Sequence, residues 1–260
     1  MMIRTLFLLE WLARFFHLGM GIRIQSLVRQ RVQQATKKSS ASVFVHMCAY
    51  NGVEVIESAV NSMLAQSHQN WHLFISDDAS TDETWGLIEQ ISGCDDRIQV
   101  ERLPYNLYQS GKSHRNIGLS RFKEGMWDYY AILDQDDVAE RDWLARCLGL
   151  DWNGVSVLRM WNARYDWSLE HHKYEYPTAA QIMVPRTELI GIEYRRGSGL
   201  PVDTDFLYRM EFRAVKKFKA VVVAPFLCQR MRFSETNQTA NPETVSITRW
   251  AFFRKYFWNA

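Results

Sequence analysis

Three carboxylates lie close together in the segment from Asp134 to Asp137, where Gln135 is the only uncharged residue. Negative charges this close repel one another unless a cation or hydrogen-bond donors lie between them. A divalent ion held by one or two carboxylates and by the phosphates of a substrate is a common arrangement. An acidic turn that caps a helix beginning near Val138 is the alternative, and these residues alone do not decide between the two.

An apolar run, residues 131–133, leads directly into this acidic segment. Such a run predicts a buried strand whose carboxyl end opens at a crevice, where open α/β sheets hold their ligands. Two further strands are predicted at residues 43–49 and 71–76, and the second of them ends at Asp77 and Asp78. Acidic residues therefore follow more than one strand, which favours a ligand site over a solvated turn.

Segments with helical patterns alternate with the predicted strands. They are a helix from Val53 to Gln66, a helix that begins with a capping box formed by Ser80 and Glu83, and, after a third strand at residues 98–103, a helix that contains Ile117 and Phe122. This alternation predicts a mostly parallel sheet with helices on both faces.

The composition is that of an ordinary globular protein. Of the 260 residues, 47% are hydrophobic and 23% are charged, which is enough to build a sizeable core. The formal charge of +2 gives no reason to expect a nucleic-acid partner. The cysteines have neither a CxxC pair nor a histidine at zinc spacing, which favours reduced thiols in the cytoplasm. They are Cys48, Cys94, Cys147 and Cys228.

Five short motifs occur in order in the first part of the chain. They are Ala49–Gly52, Leu64–Ser67, Asp77–Thr84, Arg115–Gly118 and Leu133–Asp137. Together they resemble the family-2 glycosyltransferases, which have the GT-A fold. The resemblance implies a Rossmann-like mixed sheet. It also implies an inverting enzyme that moves a sugar from a nucleotide-sugar donor to an acceptor hydroxyl and uses Mg²⁺ or Mn²⁺.

The resemblance also suggests how the chain is divided. We predict a single catalytic domain at residues 41–240, with a nucleotide-sugar half at 41–150 and an acceptor half at 151–240. The flanking segments, residues 1–40 and 241–260, mix aromatic and basic residues without a run long enough to span a membrane. We predict that they are amphipathic and lie on the inner face of the cell membrane. Packing of the first helix against the domain is the alternative.

The resemblance assigns roles to individual residues. It places the nucleotide near Cys48, Ala49, Tyr50, Asn51, Asp78, Arg115, Asp134 and Gln135. In this set Asp78 accepts a hydrogen bond from the base, Arg115 lies near the diphosphate, and Asp134 lies toward the ribose. Asp136, together with Asp134, holds the metal ion. Asp137 either assists or caps the following helix.

A later segment around Asp203 resembles the part of the family that carries the catalytic base. Inversion requires a carboxylate on the side opposite the leaving group, to take the proton of the acceptor hydroxyl. Alignment on Phe206 and Arg209 makes Asp203 this base. Asp205 is the rival, and a helix cap is the structural alternative for Asp203. Val202 stands where the family often has glutamate, which leaves the acceptor contact open.

The leading functional hypothesis is therefore a glycosyltransferase that builds a surface polysaccharide or lipopolysaccharide, with a glycan or lipid-linked acceptor. The sequence of residues 134–137 also resembles that of rhamnosyltransferase-like members of the family. A sugar nucleotidyltransferase is one alternative, although the turn at residues 50–54 lacks the basic residues of a phosphate loop. A nucleotide-sugar-binding protein without turnover is the other. Val202 favours it, as does the absence, near Arg232, of a histidine frequent in the family.

Overall fold

The computed structural model describes residues 40–107, 113–150, 155–166, 171–196, 202–216 and 220–230. The two predicted amphipathic ends and Arg232 lie outside the described residues, except for residue 40. Within the described ranges, no helix combines the length and the apolar character needed to cross a membrane.

Within these described ranges, eight strands and five α-helices follow one another. The strands are β1 (Val43–Ala49), β2 (Trp71–Asp77), β3 (Ile98–Arg102), β4 (Tyr129–Ile132), β5 (Asp137–Ala139), β6 (Val155–Asp166), β7 (His171–Pro185) and β8 (Ala220–Arg230). The helices are α1 (Ile56–Leu64), α2 (Thr84–Ser92), α3 (Arg115–Glu124), α4 (Trp143–Leu148) and α5 (Val202–Lys216), and a 3₁₀ turn covers Arg186–Glu188. The predicted strands and helices of the first half are therefore present, with ends that differ by at most three residues.

All eight strands belong to one sheet, in the order β3-β2-β1-β4-β7-β6-β8-β5. Strands β3, β2, β1 and β4 are parallel to one another, whereas β7 pairs antiparallel with both β4 and β6. The chain moves outward from β1 to β3 and then returns to place β4 on the other side of β1. Ligands of open α/β sheets bind at such a reversal of strand order, outside the carboxyl ends of the strands.

Alternating side chains of β1 show how the sheet is covered on both faces. Val43, Val45 and Met47 belong to a buried cluster with residues of α1, α2 and α4. Phe44 belongs to a second cluster, with residues of α3 and α5. Because side chains of a strand point alternately to opposite faces, this pattern places α3 and α5 on the same face of the sheet. The helices that carry Arg115 and Asp203 are therefore neighbours.

Two local predictions are wrong. No helix begins near Val138, because residues 137–139 form β5, which pairs antiparallel with β8, and α4 begins only at Trp143. Asp137 therefore does not cap a helix. The capping box is also absent, because the Ser80 hydroxyl donates to Asp77 and no side chain caps α2 at Glu83.

Candidate active site

The carboxyl ends of β1 and β4 meet through the side chain of Gln135. Its Oε1 accepts a hydrogen bond from the Tyr50 backbone N–H at 3.0 Å, and its Nε2 donates to the Tyr50 carbonyl at 3.0 Å. Gly52 leaves room for this side chain, because a Cβ atom there would lie 2.2 Å from Gln135 Oε1. Gln135, predicted to lie at the nucleotide, thus fixes the acidic segment against the turn after β1.

The turns after β1 and β2 are joined by Asn51. Its backbone has a left-handed φ of 45°, its N–H donates to Ser80 Oγ at 3.0 Å, and its Oδ1 accepts from the Thr81 N–H at 2.9 Å. Asp77 is fully buried and accepts a hydrogen bond from the Ser80 N–H at 3.1 Å. These bonds shape the floor of the crevice. They also assign Asp77 to the support of its own turn.

Asp78 lies buried at the edge of the crevice. Its N–H donates to the Ala49 carbonyl at 2.8 Å, and its Oδ1 accepts from the Leu107 N–H at 2.6 Å. His114 Nδ1 is 4.0 Å from Asp78 Oδ2. Burial lowers the pKa of His114 to about 4, although the Asp78 carboxylate acts in the opposite direction. His114 is therefore neutral near pH 7.

Cys48, the remaining residue predicted at the nucleotide, lies half-buried near the end of β1. Its thiol is 3.7 Å from His46 Nε2, and His46 also contacts Ser76 Oγ at 2.9 Å and Tyr130 Oη at 3.1 Å. Burial lowers the pKa of His46. A row of buried polar groups therefore lies beneath the crevice, on the α3 face of the sheet. The sequence motifs assigned no role to His46, Ser76 or Tyr130.

The acidic cluster brings together oxygen atoms of Asp134, Asp136 and Asp137 within 4.8 Å of one another. Asp137 is buried, and the other two carboxylates are half-buried. Within the part of the chain that the structure describes, it is the only group of three such side chains that could hold a metal ion. Carboxylate oxygens in this arrangement fit a hard divalent cation such as Mg²⁺ or Mn²⁺.

Arg115, the first residue of α3, connects this cluster to α5. Its Nη2 is 2.5 Å from Asp134 Oδ1, and its Nε donates to Asp203 Oδ1 at 3.1 Å. Only 11% of its side chain is exposed. Burial favours the neutral form, but Asp134 and Asp203 hold the pKa of Arg115 well above its usual value. A permanent cation therefore lies between Asp134 of the acidic cluster and the predicted base.

The two candidate bases have different surroundings. Asp203 keeps 29% of its side chain exposed, and burial raises its pKa while Arg115 opposes that rise. Asp205 is only 1% exposed and accepts a hydrogen bond from Arg209 Nε at 2.7 Å. Arg209 also donates to the Glu193 carbonyl at 2.6 Å. Asp203 thus lies beside the acidic crevice, whereas Asp205 belongs to a buried ion pair within the fold.

Comparison with known proteins decides the family. A family model described as Glycosyl transferase family 2 matches residues 44–218, which is well over half of the chain. The chain belongs to this family. The fold and the transferase class predicted from the sequence are therefore confirmed, and the sheet is that of a GT-A glycosyltransferase.

Relatives of this glycosyltransferase take part in polysaccharide biosynthesis. The Escherichia coli enzyme named UDP-Glc:alpha-D-GlcNAc-diphosphoundecaprenol beta-1,3-glucosyltransferase WfaP is 36% identical over 95 residues, which are 36% of this chain and 35% of WfaP. The succinoglycan biosynthesis protein ExoO of Rhizobium meliloti is 33% identical over 102 residues, 39% of this chain and 27% of ExoO. The chain thus spans about a third of the length of these relatives.

Solved structures show the same fold. The mannosyltransferase PcManGT from Pyrobaculum calidifontis, solved in complex with GDP-Man and Mn²⁺, aligns with a TM-score of 0.56 at 15% identity. The alignment covers 81% of this chain and 65% of PcManGT. At this identity the likeness concerns the architecture and carries no residue roles.

Proposed function

We propose that this protein is an inverting glycosyltransferase that moves a sugar from a nucleotide-sugar donor to a hydroxyl group of a glycan or lipid-linked acceptor. The observation that carries the proposal is the row Asp136–Asp134–Arg115–Asp203. In this row two neighbouring carboxylates, a fixed cation and a half-exposed carboxylate lie side by side at the carboxyl edge of the sheet, which supports the proposal. Each group matches one requirement of transfer from a nucleoside diphosphate.

Asp136 and Asp134 would hold the divalent ion, with Asp137 beside them. Oxygen atoms within 4.8 Å of one another can share one hard cation. When bound, such an ion offsets the negative charge that develops on the departing diphosphate. The acidic cluster itself is built by the fold, because Gln135 fixes it to the turn after β1.

Arg115 would bind the diphosphate on the side opposite the divalent ion. Two of its nitrogens contact carboxylates, and its buried Nη1 has no hydrogen-bond partner among the described residues. A buried guanidinium N–H without an acceptor is costly, and a phosphate oxygen would satisfy it with a charge-assisted bond. Nucleotide binding by Cys48, Ala49, Tyr50, Asn51 and Asp78 is part of the same proposal. Tyr50, with 39% of its surface exposed, offers a ring to the base.

Asp203 would act as the general base. Burial raises the pKa of this carboxyl group above its ordinary value, so it accepts a proton more readily than an exposed aspartate. A base with a raised pKa is better matched to proton transfer near neutral pH. Asp203 would take the proton of the acceptor hydroxyl as that oxygen attacks the anomeric carbon and the bond to the nucleoside diphosphate breaks.

The lipid-linked acceptor and the membrane surface are the broader parts of the proposal. WfaP, by its name, acts on a diphosphoundecaprenol-linked sugar, and the aromatic and basic segments at 1–40 and 241–260 suit the inner face of the membrane. Sedimentation with anionic liposomes at low salt tests the membrane part. Equal recovery in the supernatant for the full chain and for residues 41–240 would contradict it.

A panel of UDP-, GDP- and dTDP-sugars with and without Mn²⁺ tests the reaction. We expect one donor to raise the melting temperature only with Mn²⁺, because a ligand of the native state stabilises it. The same donor should be hydrolysed slowly, with release of its nucleoside diphosphate.

Asp136→Asn should abolish both effects without unfolding the protein. Asp96→Asn is the matched control, because this exposed carboxylate follows α2 and lies outside the acidic cluster. Binding without hydrolysis would support a nucleotide-sugar-binding protein instead. Wild-type hydrolysis by Asp136→Asn would contradict the metal assignment.

A further inference from the structure

The segment at residues 192–196 lies between the two helices that carry Arg115 and Asp203. On the α3 side, Asn116 Nδ2 donates to the Tyr194 carbonyl at 2.9 Å, and the Tyr194 N–H donates to Asn116 Oδ1 at 2.8 Å. This two-way amide contact is made by the residue next to Arg115. The backbone of Tyr194 is therefore fixed relative to the first turn of α3.

On the α5 side, the ring of Tyr194 stacks on Phe206. The ring centroids are 3.9 Å apart and the planes differ by 11°. Both side chains are buried in the core cluster on this face of the sheet. Phe206 lies three residues after Asp203, so the two belong to the same turn of α5. Arg209 adds a second tie through its bond to the Glu193 carbonyl.

We propose that Tyr194 is a positioning residue for the transfer reaction, whose clamped backbone and stacked ring hold Asp203 at hydrogen-bond distance from Arg115. The proposal rests on the proposed function, because it gives a role to the geometry of the predicted base. The Arg115–Asp203 contact joins residues 88 positions apart in the sequence, on two separate helices. Tyr194 touches both helices within one turn of these two residues.

A displaced base is costly for catalysis. An error of about 1 Å in the position of a reacting group reduces the rate by up to about 100-fold. The clamp uses the backbone of Tyr194 and the stack uses its ring, so neither contact needs the hydroxyl group. Removal of the ring should therefore impair turnover more than removal of the hydroxyl alone, which leaves both contacts in place.

The test compares Tyr194→Leu with Tyr194→Phe, using hydrolysis of UDP-glucose in the presence of Mn²⁺ or, if another donor of the panel is the active one, of that donor. For Tyr194→Leu we expect kcat to fall about 10- to 100-fold while KM for the donor changes less than about twofold. The other donor contacts lie at the ends of β1, β2 and β4, and the substitution keeps the backbone bonds to Asn116 that adjoin Arg115. Tyr194→Phe keeps the clamp and the stack and should lose much less of kcat than Tyr194→Leu.

Arg213→Ala is the matched control. Arg213 Nη2 donates to the Ile190 carbonyl at 2.9 Å. It therefore also joins the segment that precedes Tyr194 to α5, but at a position far from Asp203. We expect wild-type turnover from this variant. If Tyr194→Leu does not fold, Asn116→Ala replaces it, because it removes both bonds of the clamp, and the same loss of kcat is expected.

A crystal structure of Tyr194→Leu gives a readout that does not depend on turnover. The Arg115 Nε to Asp203 Oδ1 distance should lengthen beyond hydrogen-bond range. Wild-type kcat together with an unchanged distance would overturn the positioning role. Absence of hydrolysis of every donor by the wild-type protein would contradict the proposed function instead, and the distance alone would then decide the positioning role.

Discussion

Exchange of each acidic residue at the start of α5 for asparagine separates the two candidate bases. Asp203→Asn removes the proton acceptor but keeps an oxygen that can accept the Arg115 Nε hydrogen bond. General base catalysis contributes about 10²- to 10⁴-fold to a rate. We therefore expect kcat to fall by that factor, with little change in the melting temperature.

Asp205→Asn should have the opposite effects. The Asp205–Arg209 pair has exposures of 1% and 15%, and loss of one partner from a buried ion pair costs about 3–5 kcal/mol. Arg209 keeps its bond to the Glu193 carbonyl, so we expect the lower end, about 3 kcal/mol. For a protein of this size the melting temperature should fall by roughly 6–12 °C. The folded fraction should retain wild-type turnover.

Both effects can be measured on the same preparations. Release of nucleoside diphosphate from the donor that the panel selects is followed with Mn²⁺ at a temperature below both unfolding transitions, and thermal unfolding is recorded in parallel. Wild-type turnover by Asp203→Asn, or a 100-fold loss of kcat in folded Asp205→Asn, would refute the assignment of the base.

Two further predictions concern stability. His114 has a folded-state pKa of about 4 against 6.5 when unfolded, so the folded protein binds this proton less readily. The free energy of unfolding should therefore fall as the pH drops from 6.5 towards 4.5, by roughly 2 kcal/mol more in wild type than in His114→Gln, as measured by urea unfolding. Equal losses in the two proteins would contradict this. Gly118→Ala should destabilise the protein by at least about 2 kcal/mol, because the new Cβ would lie 2.1 Å from His46 Cγ. Gly86→Ala, in open space on α2, should instead stabilise it by about 0.5–1 kcal/mol, and the same sign for both substitutions would refute the packing argument.

The parallel half of the sheet could be predicted from the sequence because each strand is an apolar run that ends in polar residues. The runs before Asp77 and Asp134 predicted both the strands and the edge at which the carboxylates meet. The pattern is local, since it depends only on which residues follow one another. The reversal of strand order at β1 and β4 then brings these ends together.

The wrong predictions arise where the partner of a residue is distant in the sequence, or where a nearby residue competes for its hydrogen bond. Asp137 begins a three-residue strand whose partner, β8, lies about ninety residues later, so no local pattern predicts it. Ser80 has capping-box spacing, but its hydroxyl donates to Asp77 instead. The hydrogen bonds between Gln135 and Tyr50 and the contact between Arg115 and Asp203 likewise join distant residues. In contrast, Asp205 and Arg209 are four residues apart on one helix, a spacing from which their ion pair could have been predicted.

The central claim is that the acidic edge of the sheet binds a cation that in turn binds a diphosphate. A crystal structure with Mn²⁺ and UDP tests it most directly, because manganese is identified by its anomalous signal. We expect one manganese peak in direct contact with Asp136 and with a diphosphate oxygen, and Arg115 on the opposite side of the diphosphate. Manganese and UDP bound away from Asp134, Asp136 and Asp137 would contradict the account.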